Sequence, residues 1–235
     1  MQESRYSLRS RPGNVVVNAG AAPMTAGPKG ALVTRRLTWV RAILVKLAGC
    51  NLLEIKERLD LAAAAASLVA GCAEISEVLA RLEGSGYLME AARLLAHALP
   101  SREATWWACM CTRHTAPPDL PAPEQAARAA AEQWVREQTD EARRVALAAA
   151  RQAGFGSPEA WAGVAAFWSG QSAAPLAHPP LPPAEHLAGT AVSGAVALAS
   201  VRSRPERQKD RLARFLESGH NIAAGGPGRL TPEEG

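Results

Sequence analysis

At 235 residues, the chain is long enough to bury a hydrophobic core in one large domain or two small ones. Its formal charge of +4 is unevenly distributed, because residues 1–53 hold eight basic residues and one acidic residue, while acidic residues outnumber basic ones in the remainder. This distribution argues against a nucleic-acid-binding surface on the body, and no apolar run reaches the roughly 18 residues of a membrane-spanning helix.

The first 50 residues are predicted to be a disordered basic arm. Residues 1–33 mix glycine, proline, asparagine and arginine without periodicity, a composition that does not support a packed core. Residues 34–48 then form a basic segment with one broad apolar face. The arm is interpreted either as an amphipathic helix that docks on the domain or as an extension of the reading frame without a selected role.

The arm ends in Leu47-Ala-Gly-Cys50, which has the form of a bacterial lipoprotein cleavage box with Cys50 as the lipidated residue. Arg41 and Lys46 oppose this interpretation, because a charge within the apolar stretch of a signal peptide opposes insertion by a few kcal/mol. A lipoprotein tethered to the membrane through Cys50 therefore remains an alternative to a cytoplasmic protein.

Residues 51–223 are predicted to form an all-α domain, either a compact bundle of several helices or a short solenoid-like stack of helix pairs. Alanine dominates the apolar residues and favours helix, and valine and isoleucine never alternate with polar residues over a strand length. The predicted helices are 52–59, 62–69, 75–82, 88–99, 101–114, 124–138, 140–153, 158–169, 185–201 and a last one opened by Ser203 and Pro205. Asp60, Ser101, Thr139 and Ser157 are the predicted N-caps.

Two proline-rich segments interrupt this series of helices. Residues 116–123 are predicted to be a semi-rigid connector and a possible boundary between subdomains. The second, residues 174–183, leads into helix 185–201. Each of the two segments is interpreted either as a hinge or as part of a chain that wraps around one core. The polar residues 224–235 after the last helix are predicted to be a disordered tail.

The cysteines and histidines do not form a recognisable metal or catalytic motif. On a helix, residues two apart point about 200° away from each other, so Cys109 and Cys111 cannot bind one ion together with His114. We expect buried, reduced thiols, with no metal and no cofactor. No histidine is arranged with a nucleophile and an acid in the order of a known triad.

Trp106 and Trp107 are adjacent on a predicted helix, where they point about 100° apart. Both can be buried only if the helix has partners on two sides, which makes core packing one interpretation. In the other, Trp107 stays partly exposed and, with Arg102 and Glu103, serves as an anchor for a protein partner.

The longest distinctive stretch is Gly84-Ser-Gly-Tyr-Leu-Met-Glu-Ala-Ala-Arg-Leu-Leu-Ala-His-Ala-Leu-Pro-Ser-Arg-Glu-Ala-Thr-Trp-Trp-Ala-Cys109. Shorter ones lie at 153–162, 166–170, 182–187 and 214–219. Together they resemble an uncharacterised bacterial family of small all-helical proteins, over residues 52 to 223. The resemblance implies an accessory protein of type VI secretion and no catalytic residues, and the arm 1–50 departs from the family's pattern, which favours a frame extension.

The leading hypothesis is a cytoplasmic, non-enzymatic helical adaptor that assists a type VI secretion system. It requires an exposed apolar or aromatic surface on the body, near Trp107 or between the proline-rich segments. The lipoprotein carrying the same domain through Cys50 is one alternative. The other is an enzyme with an unfamiliar site near His97 and Glu103, which requires a cleft also lined by Arg102 and His114.

Overall fold

The computed structural model describes residues 45–47, 51–175 and 177–233, and within these ranges the chain forms helices and no strand. The α-helices are α1 (Leu52–Leu59), α2 (Ala63–Leu68), α3 (Ile75–Gly84), α4 (Leu88–Ala98), α5 (Ser101–His114), α6 (Ala122–Glu137), α7 (Asp140–Gln152), α8 (Pro158–Trp168), α9 (His186–Val201) and α10 (Gln208–Ala223). Two 3-10 turns lie at Val45–Leu47 and Pro205–Arg207. The prediction of an all-α domain is confirmed.

Two predicted N-caps are present and explain where their helices begin. Thr139 Oγ1 accepts a hydrogen bond from the backbone N–H of Ala142 at 3.1 Å, at the start of α7. Ser157 Oγ accepts one from the N–H of Ala160 at 3.3 Å, and Pro158 follows as the first residue of α8. Both side chains satisfy donors that the first helical turn leaves without partners.

The other two predicted caps are wrong. Pro100, in an extended conformation, precedes α5, and Ser101 is the first residue of that helix. Asp60 has a positive φ of 45° and ends α1, instead of capping α2. A short polar residue such as Asp60 can cap the beginning of a helix or adopt the left-handed conformation at the end of one. The residue type alone therefore did not show which of these two positions Asp60 occupies.

The core is built around α5 and α9. Helix α9 packs against α4, α5, α8 and α10, so elements distant in the sequence meet around it, as in a bundle and unlike a stack of successive helix pairs. Its buried face consists almost entirely of small residues, which lets neighbouring helices approach closely. The buried residues of this face are Ala188, Gly189, Ala191, Val192, Ala195, Val196, Ala199 and Ser200.

One core continues across the connector at 116–123, which the sequence predicted as a possible subdomain boundary. Trp107 before the connector and Trp134 after it belong to the same cluster of buried residues. Helix α6, which begins after the connector, packs against α5, α7 and α8. The connector therefore joins parts of one core and does not separate two.

Residues 224–233, which we call the C-terminal strap, differ from the predicted disordered tail. After α10 the chain turns back through Gly225 and Gly228, both with positive φ, and lies against the body. Trp106 Nε1 donates to the carbonyl oxygen of Pro227 at 2.8 Å, and Ser218 Oγ donates to that of Gly228 at 2.5 Å. These contacts use backbone groups of the strap, which composition does not reveal.

The predicted basic arm lies outside the described residues, except for the turn Val45–Leu47. In this turn Lys46 forms an ion pair with Glu103, and Leu47 is buried in the core cluster. Cys50 is not among the described residues, so its lipidation stays a prediction. Of the helices that the structure describes, none combines the length and hydropathy of a membrane crossing.

Candidate functional site

The predicted partner-binding residues lie in the first half of α5, but they have different surroundings. Trp107 is 0% exposed, and its Nε1 donates to the carbonyl oxygen of Phe215 at 2.8 Å. The interpretation of Trp107 as an exposed anchor is therefore wrong, and core packing is confirmed. The difference arises because α10 covers the face of α5 that carries Trp107, whereas the neighbouring Trp106 stays partly exposed at the edge of the C-terminal strap.

Arg102 and Glu103 are both engaged in contacts with other parts of the chain. Arg102 Nε donates to the carbonyl oxygen of Val135 on α6 at 2.9 Å, with its side chain about half exposed. The Glu103 carboxylate is only 13% exposed and pairs with Lys46. These contacts link α5 to α6 and to the turn Val45–Leu47, so they have a structural role.

The four side chains proposed for an enzymatic cleft are not brought together. Glu103 lies in the first turn of α5 and His114 is its last residue, so they are about 16 Å apart along the helix axis. His97 packs against α9, where a Cβ at Gly189 would lie 2.3 Å from its Nδ1. Burial, followed by the charges of Arg58 and His186, holds the pKa of His97 below its usual value.

Cys109 and Cys111 are buried thiols without a disulfide, as predicted. Burial raises the pKa of both thiols well above the usual range, which keeps them protonated and unreactive. In the part of the chain that the structure describes, no three His, Cys, Asp or Glu side chains are placed to hold a metal ion.

A buried ion pair that the sequence analysis missed joins the beginning of α8 to the end of α9. The Glu159 carboxylate is 0% exposed, and Arg202 approaches it with both terminal nitrogens, one of them at 2.8 Å. Glu124 of α6 adds a second carboxylate 3.6 Å from the guanidinium. The sequence indicated Glu159 only as a first-turn acid, since its partner lies 43 residues away.

The connector between α8 and α9 spans residues 169–185, of which the structure describes 169–175 and 177–185, and it is the longest between two described helices. These helices pack directly against each other, so a few residues would suffice to join them. Loops longer than about 15 residues without secondary structure are uncommon in compact domains and are usually functional. We call residues 172–183 of this connector the proline-rich loop.

The two ends of the proline-rich loop are held together by hydrogen bonds. The backbone N–H of Ala173 donates to the carbonyl oxygen of Leu181 at 2.7 Å. Ser172 Oγ accepts from the N–H groups of Ala174 and Leu181, at 3.2 and 3.0 Å. The loop is thus closed at its base, and Leu181 is part of that base.

Helix α7 fixes this base to the body. Arg144 Nη2 donates to the carbonyl oxygen of Ala174 at 2.9 Å, and Arg144 Nε donates to Asp140 at 2.6 Å. The other carboxylate oxygen of Asp140 accepts from Arg143 Nε at 2.6 Å, and the Arg143 guanidinium lies over the ring of Phe167. Hydrogen bonds from Arg144 and Arg143 hold the pKa of Asp140 below its usual value, so the carboxylate stays charged.

The segment Pro179-Pro-Leu-Pro-Pro183 runs through this base, with Leu181 as its central residue. Residues 179–182 are all exposed, and Leu181 has 65% of its surface in contact with solvent. Proline fixes its own φ near the polyproline II value and disfavours helix in the residue before it. Such segments are the ligands of aromatic-lined grooves. The sequence analysis interpreted residues 174–183 as a hinge or as part of the wrapping of one core, and it did not use the run of prolines around a single leucine.

A family model described as a family of unknown function (DUF6931) matches residues 78–223, well over half of the chain. The chain belongs to this family. The DUF6931 span begins within α3, ends with α10 and includes the proline-rich loop, while the C-terminal strap follows it. The predicted resemblance to an uncharacterised family is confirmed. No curated protein and no solved structure matches the chain.

Proposed function

We propose that the protein is a non-enzymatic helical adaptor whose proline-rich loop binds an aromatic-lined groove on a protein partner. The observation that carries this proposal is an exposed run of residues 179–182 that is held in place at Leu181, whose backbone is hydrogen-bonded to Ser172 and Ala173. The sequence hypothesis placed the partner surface near Trp107 or between the proline-rich segments, and the proposal moves it to the second of these segments because Trp107 is in the core.

The physical case for the loop as a ligand rests on its low conformational freedom. A segment that loses little entropy on binding retains more of its contact free energy as affinity, and both proline and the closed base reduce that loss. Leu181 supplies an apolar side chain at the centre of the segment. Polyproline segments also have few backbone N–H donors to desolvate in a groove.

We further propose that the adaptor is cytoplasmic and that its partner is a component of a bacterial type VI secretion system. The support for this part is indirect: the stretches quoted above resemble an uncharacterised bacterial family, and that resemblance implies an accessory role in type VI secretion. It concerns the identity of the partner and is independent of how the loop binds.

The proposal is tested by comparing partner capture from lysate of the native host by the wild-type chain, Leu181→Asp and Leu53→Asp. Leu53 on α1 is 68% exposed, so its variant makes the same chemical change at an equally exposed position. We expect one protein to be captured by the wild type and by Leu53→Asp and to be lost with Leu181→Asp.

Retention of every captured protein by Leu181→Asp would overturn the role of the loop. When a protein is lost with that variant, a purified mixture of the two proteins should reproduce the loss. Its identification as a sheath or baseplate component would support the secretion assignment, whereas an unrelated protein would overturn that assignment and leave the adaptor proposal intact.

A further inference from the structure

The C-terminal strap lies on the body in the manner of a bound peptide. The carbonyl oxygen of Thr231 accepts a hydrogen bond from His114 Nδ1, at the end of α5. Two residues later, the backbone N–H of Glu233 donates to the carbonyl oxygen of His114 at 2.7 Å. Alternate backbone groups of the strap therefore pair with one residue of the body, as extended peptides pair with their receptors.

The Glu233 side chain is held by two arginines at the beginning of α10. Arg211 reaches one carboxylate oxygen with Nε at 3.0 Å and Nη2 at 2.6 Å, and Arg207 Nη1 reaches the other at 2.7 Å. Burial alone raises the pKa of the Glu233 carboxyl, but the hydrogen bonds from Arg211 and Arg207 outweigh it and hold the pKa below its usual value. Such charge-assisted pairs favour a carboxylate in one geometry.

The position of Arg211 does not depend on Glu233. Its side chain is only 4% exposed, and its Nη1 donates to the carbonyl oxygens of Ser200 at 3.2 Å and Arg202 at 2.6 Å. The opposite edge of the guanidinium, with Nε and Nη2, points at the carboxylate. Without Glu233 these two donors would be left unpaired in a buried setting, which is costly for the protein and favourable for any replacing carboxylate.

A cavity of about 430 Å³ opens beside the Glu233 carboxylate. Arg207, Arg211, Arg214 and Asp210 line it, together with residues of the strap. Arg214 is exposed and has no ion pair among the described residues. The described lining thus has more positive than negative groups, with room beside the exposed guanidinium of Arg214 for a further acidic group.

We propose that this surface is a binding site for an extended acidic peptide of a protein partner and that the C-terminal strap occupies it as a tethered ligand. The peptide would place a carboxylate on Arg207 and Arg211, a backbone carbonyl on the ring of His114 and a second acid near Arg214. This site lies apart from the proline-rich loop and does not depend on the function proposed for it.

The tether determines how strongly the C-terminal strap competes with a free peptide for the site. A ligand on a short linker has an effective concentration of about 1 mM. For a free peptide that binds the vacant site with a Kd of about 0.1 mM, this competitor weakens the apparent affinity about tenfold. Weakening the tethered ligand should therefore strengthen the binding of a free one.

The test uses the full chain and a fluorescent synthetic peptide with the sequence of residues 229–235, measured by anisotropy. Glu233→Gln should bind this peptide about tenfold more tightly than the wild type. The matched control is Glu217→Gln, which makes the same change at an exposed position of α10 and should behave like the wild type. Adding Arg207→Gln to the Glu233→Gln chain should weaken binding again, and higher salt should do the same.

Two results would overturn the proposal. One is the absence of binding to Glu233→Gln at about 1 mM peptide, with circular dichroism showing that the variant is folded. The other is equal affinity for the peptide and for the same peptide carrying Glu233→Gln, because the arginine pair would then not recognise the acid. The change Leu181→Asp should leave peptide binding unaltered, so that this site and the proline-rich loop are tested separately.

Discussion

Arg144 of α7 donates a hydrogen bond to the carbonyl oxygen of Ala174 at 2.9 Å, and by this contact the first half of α7 sets the position of a loop that follows α8. The same guanidinium is oriented by Asp140 at the first position of α7. The loop geometry therefore depends on a relay of two charged residues, Asp140 and Arg144, which lie outside the exposed proline segment.

Removing this relay should loosen the proline-rich loop without unfolding the domain. In Arg144→Gln, we expect amide hydrogen exchange of Ala173, Ala174 and Leu181 to become about fivefold faster, since one such hydrogen bond contributes roughly 1 kcal/mol. The global free energy of unfolding should change by less than about 1 kcal/mol. Exchange rates in Arg151→Gln, an exposed change on the same helix, are the comparison, and equal rates in both variants would contradict the relay.

The two adjacent tryptophans should contribute differently to stability. Trp107→Phe removes the indole hydrogen bond to the carbonyl of Phe215 and opens space in the core, and we expect a loss of about 2–4 kcal/mol. Trp106→Phe removes a hydrogen bond to Pro227 at the edge of the strap and should cost about 1 kcal/mol or less. Urea unfolding followed by circular dichroism measures both losses. Equal losses would show that the buried tryptophan contributes no more to stability than the partly exposed one.

Glycine-to-alanine changes at two helical positions should change the stability of the protein in opposite directions. At Gly219 a Cβ would lie 2.4 Å from Leu95 Cδ2 and 3.1 Å from the Trp107 ring, so we expect a net loss of about 1–2 kcal/mol despite the better helix propensity of alanine. At Gly84 the space around a Cβ is open, and Gly84→Ala should stabilise the protein by about 0.5–1 kcal/mol. Thermal and urea unfolding of the two variants measure these changes in stability. A stabilised Gly219→Ala would mean that the contacts of Gly219 with α4 and α5 are loosely packed.

Breaking the buried ion pair should lower the free energy of unfolding more than replacing both of its residues with apolar ones. Glu159→Ala leaves the Arg202 guanidinium without its main partner, and we expect a loss of about 3–5 kcal/mol. The double variant Glu159→Leu/Arg202→Met should recover most of this loss, because apolar residues of similar volume avoid desolvating two charges. A double-mutant cycle in urea measures the coupling, and additive losses would argue against a direct interaction.

His97 should make the protein less stable as the pH falls. Its pKa in the folded protein is below the value near 6.5 of the unfolded chain, so below that pH the unfolded state binds a proton that the folded state does not. The free energy of unfolding should therefore decrease as the pH is lowered through about 6.5 and towards the folded pKa. Urea midpoints at several pH values should depend less on pH in His97→Gln than in the wild type, and His178→Gln, in the exposed loop, should match the wild type.

Structural features that depend on residues close in the sequence were predicted well, and features that depend on distant partners were not. Thr139 and Ser157 act on backbone groups three residues away, so their pattern identified the beginnings of α7 and α8. The direction in which Trp107 points was left open, because it is decided by α10. The strap was missed for the same reason: Glu233 resembles any residue of a polar tail until Arg207 and Arg211 are placed beside it.

The hydrogen bond between Trp107 and Phe215 joins residues that are 108 positions apart in the chain. During synthesis the indole emerges long before its acceptor, so the centre of the bundle lacks a hydrogen-bond partner and an apolar cover until α10 has left the ribosome. Folding of the core is therefore coupled to the synthesis of α10, and chains that still lack this helix expose apolar surface that is prone to aggregate. A protein truncated before Phe215 should consequently be a substrate for chaperones and proteases, however many of its other helices have formed.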